Sequence, residues 1–551
     1  MKKTDPKRGG FAIILVLIVI ALLSLGAYSF TDLMVAQQHG TIMNGRHTQA
    51  QAAVASGVEY IKDYLALDAE SQLLLGAHYD NPAYFQDVLV ATEPEGTTRF
   101  SIISIVEDTY GSPIGTRFGL QDEGSRININ HVVSSDAYKS AGGSSAQGSP
   151  GAAGGDGPPN EEPADDGADS EDAIDSDPQQ DVLMVLPGMT QDVADAILDW
   201  IDEDSTQRPL GAEAEYYSFL GYEPRNGPID SLDELLLVHG VTPELLYGAD
   251  RNHNGVIDES EQDLAATMQG MGASGSMDRG WSAFLTVSSK AMPNQNEPID
   301  LNQDDLEELF DEIAAVFDED TATFVAAFRQ NGPYTPKPPS EDAGEDGEPQ
   351  EPLVSEPVDG RTVDLSNEGG NKFTNVLDLI GAQTLTQFED SRDSVLVDSP
   401  FANDTASMAS FLPDLMANFS TGDVDGTGRI NMSRSCQTVL SSVPSMNDNL
   451  IDSILAQRDP AGLSTDPNYQ YATWPLAFGL VTVDEMKALM PFVTVTGGFY
   501  RAQVVGYSEV PGTFARAEVV IDATGDTPKV VSWRDLTHLG PGFPLDSMMI
   551  Q

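Results

Sequence analysis

The chain has 551 residues and a formal net charge of −59, from 87 acidic against 28 basic residues. That length exceeds what one hydrophobic core uses, so two or three folded units are expected. The charge has the wrong sign for phosphate backbones and excludes nucleic-acid binding. Cys436 is the single cysteine; it rules out an intramolecular disulfide and reads as a small buried apolar side chain, not a nucleophile. An acidic excess of this size suits an extracytoplasmic setting where divalent cations bridge carboxylates.

Lys2, Lys3, Lys7 and Arg8 precede Gly9-Gly10, and an apolar run follows from Phe11 to Phe30. About 20 apolar residues cross a bilayer as one helix, and the basic flank holds its own side in the cytoplasm. A secretory signal has its small-residue cleavage site after the apolar stretch; here the Gly pair stands before it. Cutting after Gly10 would remove the charged leader and leave Phe11 as the new N-terminus; the other reading is an uncleaved single-pass anchor. The arrangement resembles the prepilin signal of type IV pilins and type II secretion pseudopilins. That resemblance implies processing by a prepilin peptidase, residence in the inner membrane with the N-terminus cytoplasmic, and the bulk of the chain in the periplasm. Most such proteins have Glu at the fifth mature position, which is Leu15 here. Its absence, and the length of the chain, are typical of the K-type minor pseudopilin.

From Thr31 to Leu67 apolar or small residues, among them Val35, Ala52, Val54, Val58, Ile61 and Leu65, recur at helical spacing. Gly40 and Gly45 weaken the pattern by about 1 kcal/mol each relative to Ala. Two stretches, about 140–180 and 336–359, are Gly, Ser, Pro, Asp and Glu with almost no apolar content. Neither buries enough apolar surface to offset its ordering entropy, so both are expected to be disordered insertions.

Around them a pattern repeats. Arg126-Ile127-Asn128-Ile129-Asn130 follows the extended segment Thr98 to Phe118 and precedes Val182 to Met189 with a helix through Ile197 and Leu198. Ile299-Asp300-Leu301-Asn302 precedes helical patterns at 306–313 and 322–328. Arg429-Ile430-Asn431-Met432 precedes Val439 to Met446 and a helix through 451–455. The Asn side chains can cap the backbone that follows. Helix, tight turn and helix resemble helix-hairpin-helix units, which in DNA-binding proteins hold phosphate. The turns Pro187-Gly188-Met189-Thr190 and Pro444-Ser445-Met446-Asn447 contain no basic residue, so they read as scaffold. After 490 the period changes to strand-like, at 492–496, 498–507, 515–523 and 529–534. This reads as an antiparallel meander, partnered by the strands within 98–118.

The segment Asp199-Trp200-Ile201-Asp202-Glu203-Asp204, with Gly211-Ala212-Glu213, Tyr216-Tyr217, Asn226-Gly227-Pro228 and Val238-His239-Gly240, closely resembles the central region of K-type minor pseudopilins of type II secretion. The resemblance implies a complex with I- and J-type minor pseudopilins at the tip of the periplasmic pseudopilus, contact with secreted substrates, and no enzymatic activity. A minor pilin of a type IV pilus and a membrane-anchored calcium-binding adhesin are the alternatives. K-type subunits also bind calcium, at residues the resemblance does not fix here. Asp199, Asp202, Asp204 and Glu213 either gather around a cation or form a solvated turn.

Asp250 to Glu261 matches an EF-hand loop in its own right. Asp250, Asn252, Asn254, Asp258 and Glu261 stand at positions 1, 3, 5, 9 and 12, with Gly255 at 6 and the Val256 carbonyl at 7, as Ca2+ requires. Ile257 is expected to pack the loop onto its neighbour. Asp423, Asp425 and Thr427 repeat the start of the pattern, but its twelfth position is Arg434, which cannot ligate. Among the seven histidines no paired-ligand spacing appears, and no nucleophile elbow or phosphate-binding Gly loop is present.

The expected fold class is α+β: a pilin-like long N-terminal helix plus an antiparallel sheet, with a large, mostly helical insertion of helix-hairpin-helix-like repeats. In chain order the expected parts are a leader (1–10), a transmembrane segment (11–30), its soluble helical continuation (31–67) and the first strands (68–130). A disordered acidic insertion (139–181), a helical domain with the calcium loop (182–333) and an acidic linker (334–360) follow. A second helical segment (361–489) and the C-terminal strands (490–551) complete the chain.

Overall fold

The computed structural model describes residues 9–93, 96–141, 177–270, 279–293, 297–335, 354–422 apart from 368, 390 and 392, 425–508 apart from 463, and 513–549. The first helix runs unbroken over Gly9–Leu65. Gly26, Gly40 and Gly45 stand in it with no neighbour within 4 Å of a built Cβ, so they weaken the helix without kinking it. From Ala12 onward its first half is exposed, and burial begins at Ala50. Ala50, Ala53, Val54, Val58, Ile61, Tyr64 and Leu65 then fall on one face at spacings of three and four.

That face lies on an antiparallel sheet with strand order Val88–Glu93, Gly96–Glu107, Phe499–Ser508, Phe514–Asp522 and Lys529–Asp535. Pro113–Phe118 pairs with Gly96–Glu107, and Gln121–Asp122 with Phe499–Ser508. The central register sets Gln503 opposite Ile103 and Ser508 opposite Thr98. Two glycines let helix and sheet approach closely. A Cβ on Gly57 would meet Val504 Cγ1 at 2.5 Å, and one on Gly506 would strike the Ala50 carbonyl. On the other face Ile103, Ile105, Val505 and Tyr507 pack with Phe543 and Met548 of the C-terminal segment.

The rest of the chain departs from the sheet after Ser125 and returns at Phe499. Among its described residues are four parallel strand pairs, three of which involve the Ile-Asn or Ile-Asp segments. Ile127–Asn128 pairs with Leu285–Thr286, Ile299–Asp300 with Phe419–Ser420, and Ile430–Asn431 with Val493–Thr494. Each encloses a helix pair: Pro178–Met184 with Gln191–Ile201, Leu306–Val316 with Glu319–Asn331, and Gln437–Leu440 with Asp448–Gln457. One apolar core runs through all three units, from Ile127 to Val493. In the first and third units the helices meet at the same kind of turn. Met189 N donates to the Leu186 carbonyl (3.1 Å) and Met446 N to the Val443 carbonyl (3.2 Å). The left-handed position falls to Gly188 (φ 69°) in one and to Ser445 (φ 67°) in the other. Asn130 and Asn302 make matching clamps. Asn130 Nδ2 donates to the Ile229 and Val287 carbonyls while Oδ1 accepts from Ile229 N. Asn302 Nδ2 donates to the Phe373 and Thr421 carbonyls while Oδ1 accepts from Phe373 N.

Several boundaries differ from the sequence reading. Helices Ala69–Leu75 and Pro82–Phe85 precede the first strand, where strands were expected from residue 68. Val493–Thr494 lies outside the main sheet, because its partner is the third Ile-Asn segment. Both edges of the first acidic insertion are folded. Asp136–Ser140 is helical, and the helix Pro178–Met184 is anchored by Gln179, whose Nε2 donates to the Val132 and Val133 carbonyls. In the acidic linker Ser355–Glu356 pairs with Val395–Asp398, and Val358 is buried. The remainder of both acidic stretches, 142–176 and 336–353, lies outside the described residues.

Candidate functional site

The Asp250 to Glu261 loop is held between two helices. Pro243–Tyr247 is capped by Thr242, whose Oγ1 accepts from Leu245 N, and ends at Gly248 (φ 64°). Gln262–Gly270 follows the loop. Gly255 takes φ 77°, as the sharp turn at the sixth position demands, and a Cβ there would meet Ile105 Cγ1 at 2.5 Å. Asp250, Asn254 and Glu261 are buried. Asp250 accepts from Asn254 N (3.1 Å) and Gly255 N (2.8 Å), and Glu261 from Arg251 N (2.9 Å), Asn252 N (3.2 Å) and Asp258 N (3.0 Å). Asp258 Oδ2 accepts from the amides of Asn252 (2.5 Å) and Asn254 (3.2 Å). Burial pushes the Asp250 carboxyl up to about 6, and the neighbouring Glu261 charge adds to that rise.

Among the described residues, no group of three or more His, Cys, Asp or Glu side chains is drawn together as for a metal ion. The loop has the oxygens of its five side-chain positions turned onto backbone amides and each other. Its donor set nonetheless fits a hard cation. Two buried carboxylates with amide and carbonyl oxygens in one twelve-residue turn are the chemistry Ca2+ takes. The loop also joins the head to the sheet. Gln503 Nε2 donates to the His253 carbonyl (2.6 Å), Asn254 Nδ2 to the Gly542 carbonyl (2.6 Å), and Arg516 to the Asn252 carbonyl. Val256, and not the expected Ile257, packs against the apolar cluster of the sheet.

The acidic segment after Gln191–Ile201 is partly buried. Asp199 accepts from Arg208 N at 3.2 Å with each oxygen and has Arg208 Nε at 3.7 Å. Asp202 Oδ1 and Glu213 Oε1 are buried with no hydrogen-bond partner among the described residues. Burial pushes Asp199 and Asp202 up to about 6. It also raises Glu213, to which the charges of Asp202 and Asp204 contribute. Asp204 stays exposed, accepts from Thr206 N at 2.6 Å, and is held low by that bond. Asp199, Asp202 and Glu213 therefore feel one another's charge without being drawn together as metal ligands, and Asp204 is exposed.

The third acidic set is committed otherwise. Asp425 Oδ1 accepts from Thr427 N (3.2 Å) and Thr427 Oγ1 (2.8 Å) and pairs with Lys290 Nζ at 3.2 Å. Asp423 lies outside the described residues. Cys436 is buried, and burial pushes its thiol up to about 12, far from a nucleophile's range. Gly10 and Phe11 lie in the first turns of the long helix, and Leu15 is exposed within its apolar stretch. That stretch has a mean hydropathy of 2.7 and no buried residue, and the helix is long and apolar enough to cross a membrane.

Sequence spacing did not reveal the ion network at the junction of sheet and head. Glu123 is fully buried and takes Arg501 Nε at 2.5 Å and Nη2 at 3.0 Å, with Arg126 Nη1 at 3.6 Å; Arg279 pairs with Glu107 at 2.5 Å. Glu123 and Arg501 sit in segments far apart in the chain, so no local motif marks them.

Residues 125–249 match the family model described as type II secretion system (T2SS), protein K. No curated protein matches the chain. Among solved structures it is similar to a chain in the crystal structure of the GspK-GspI-GspJ complex from the enterotoxigenic Escherichia coli type 2 secretion system. The likeness is at 11% identity, over 91% of this chain and 98% of that one, with a TM-score of 0.28.

Proposed function

We propose that this chain, whose residues 125–249 match the model of type II secretion protein K, is a minor pseudopilin that caps the tip of the pseudopilus. The first helix carries the reading. One continuous helix has an exposed apolar half and a second half docked on an antiparallel sheet. It serves as an anchor before assembly and as a packing stem afterwards. The residue that pairs with a neighbour's N-terminus in most pilins is here the uncharged Leu15, which suits a subunit that ends a filament. The three-unit head, set on the sheet at the far end of the helix, blocks stacking of a further subunit above it.

In this reading a prepilin peptidase cuts after Gly10 in the inner membrane, with the N-terminus cytoplasmic and the head periplasmic. The I- and J-type minor pseudopilins are the partners, and secreted substrates pass close to the head. The helix-turn-helix pairs act as scaffold of helix-hairpin-helix type. Their turns at Gly188 and Ser445 carry no cation for phosphate, and the role is structural, not enzymatic. Ca2+ in the loop would be held by Asp250, Asn252, Asn254, the Val256 carbonyl, Asp258 and Glu261, and would bring positive charge to the point where head meets sheet. The orphaned oxygens of Asp202 and Glu213, beside Asp199, support a second cation there.

The test is the mass and N-terminal sequence of the chain from cells with an active prepilin peptidase. The expected N-terminus is Phe11. A chain that keeps Met1 in such cells, and fails to co-purify with the I- and J-type subunits, rules the reading out.

A further inference from the structure

The second and third units of the head enclose a cleft of about 820 Å³, within the range of roughly 300–1,000 Å³ typical of ligand sites. Met416 and Phe419 of the second unit form one wall, and Met490, Pro491 and Val495 of the third form the other. Two short strands also line this cleft. Phe419–Ser420 pairs with Ile299–Asp300, and its Phe419 N is committed to the Leu415 carbonyl; Val493–Thr494 pairs with Ile430–Asn431 and, among the described residues, has no second strand partner.

The segment joining the two units places Arg429 in the lining. Its guanidinium is half-buried and, among the described residues, forms neither a hydrogen bond nor an ion pair; its Nε is shielded from solvent without an acceptor. Burial lowers its pKa, and the charge of Asp425 opposes that. Asp425 is itself engaged by Thr427 and by Lys290 at 3.2 Å. A partly desolvated cation without a partner is costly. The planar fork of an arginine is matched best by a carboxylate.

We propose that this cleft binds an extended apolar segment of a partner protein whose acidic side chain is received by Arg429. The open edge of Val493–Thr494 would supply backbone hydrogen bonds, and the methionine and phenylalanine walls would take the flanking apolar side chains. The site lies outside the segment that matches the protein K family, and its reading holds whether or not the chain caps a filament.

The experiment uses the full chain in detergent and a dye-labelled hexapeptide of Val and Leu with one central Glu, capped at both ends. Its binding is followed by fluorescence anisotropy. The Glu peptide should bind saturably and about tenfold or more tighter than the same peptide with Gln, and Arg429→Gln should remove that difference. Arg429→Glu should reverse the preference toward a Lys-bearing peptide, a gain that misfolding cannot produce. No saturable binding of the Glu peptide to the parent, or equal binding of the Glu and Gln peptides, overturns the proposal. Full discrimination retained in Arg429→Gln overturns it as well.

Discussion

A carboxyl that is buried beside a second carboxylate is held against its own charge, and a bound cation relieves that tension. Asp250 is in this position, pushed up to about 6 by burial and by Glu261. Adding Ca2+ should therefore raise the melting temperature of the parent chain. Glu261→Gln removes the bidentate ligand and should abolish most of that rise; an unchanged response would move the site elsewhere. His78 makes a different prediction. Burial, and then the charges of Arg434 and Arg117, hold its ring well below the ordinary value of 6.5, and it lies 2.6 Å from Arg434 Nη1. The folded ring is neutral, whereas the unfolded ring takes up a proton below 6.5. The unfolded state then binds more protons, so this contribution to stability is complete above that pH and is lost as the pH falls. The raised carboxyls of Asp199, Asp202 and Asp250 act in the opposite sense, so the His78 share is read as a difference: the parent's change in melting temperature between pH about 7.5 and about 5 against that of a variant without the ring. His78→Gln, which keeps an acceptor for Arg434, is that variant, and the parent should fall relative to it. At this scale local spacing made the sharp turn at Gly255 within the Asp250 to Glu261 loop legible. Arg429 and Glu123 were invisible because what singles them out is a cleft or a partner contributed by distant segments.

Elements were legible where one face repeats. The spacing of Val54, Val58, Ile61 and Leu65 marked the docked face of the first helix, whereas Val35 and Ala52, read into the same pattern, are exposed; the alternation after Gly498 marked three of the sheet's strands. Val493–Thr494 has the same composition but joins the head, because strand pairing depends on the partner that the fold brings near, which local pattern does not encode. Ser355–Glu356 was read as disordered from its acidic neighbours, yet Val358 beside it is buried and holds it against Val395–Asp398. The contact of helix and sheet rests on Gly506, whose added Cβ would strike the Ala50 backbone, which cannot rotate away. Gly506→Ala should cost about 1–3 kcal/mol, read as a lower midpoint in urea unfolding. Gly115, whose Cβ would meet nothing within 4 Å, is the control that should change little. The two asparagine clamps allow a matched pair of tests. Asn130→Ala and Asn302→Ala each leave backbone groups unpaired and should each cost about 1–3 kcal/mol. If Asn302→Ala were neutral, the second unit would not be built like the first.

For the whole molecule, the base is one sheet and the head an excursion between its strands, an arrangement composition could only hint at through the return of strand-like pattern near the C-terminus. Truncation before Phe499 should separate the two by limited proteolysis. The head, with its own core from Ile127 to Val493, should stay resistant, while the strands within 88–118 and the docked half of the helix should be cut. Equal protection of both parts would show that the base is completed without its last strands. The pairing of Ile103 with Gln503 also sets an order of events during synthesis. The anchor emerges first and can enter the bilayer at once, and the strand beside Ile103 soon follows. Its neighbour arrives only after the entire head has been made. Contacts this distant in the chain form slowly. In the anchored reading, a newly made molecule would pass through a tethered state with its head made and its base open, the edge of Gly96–Glu107 still without Phe499–Ser508. That interval is when the subunit is most vulnerable to proteases and to wrong partners.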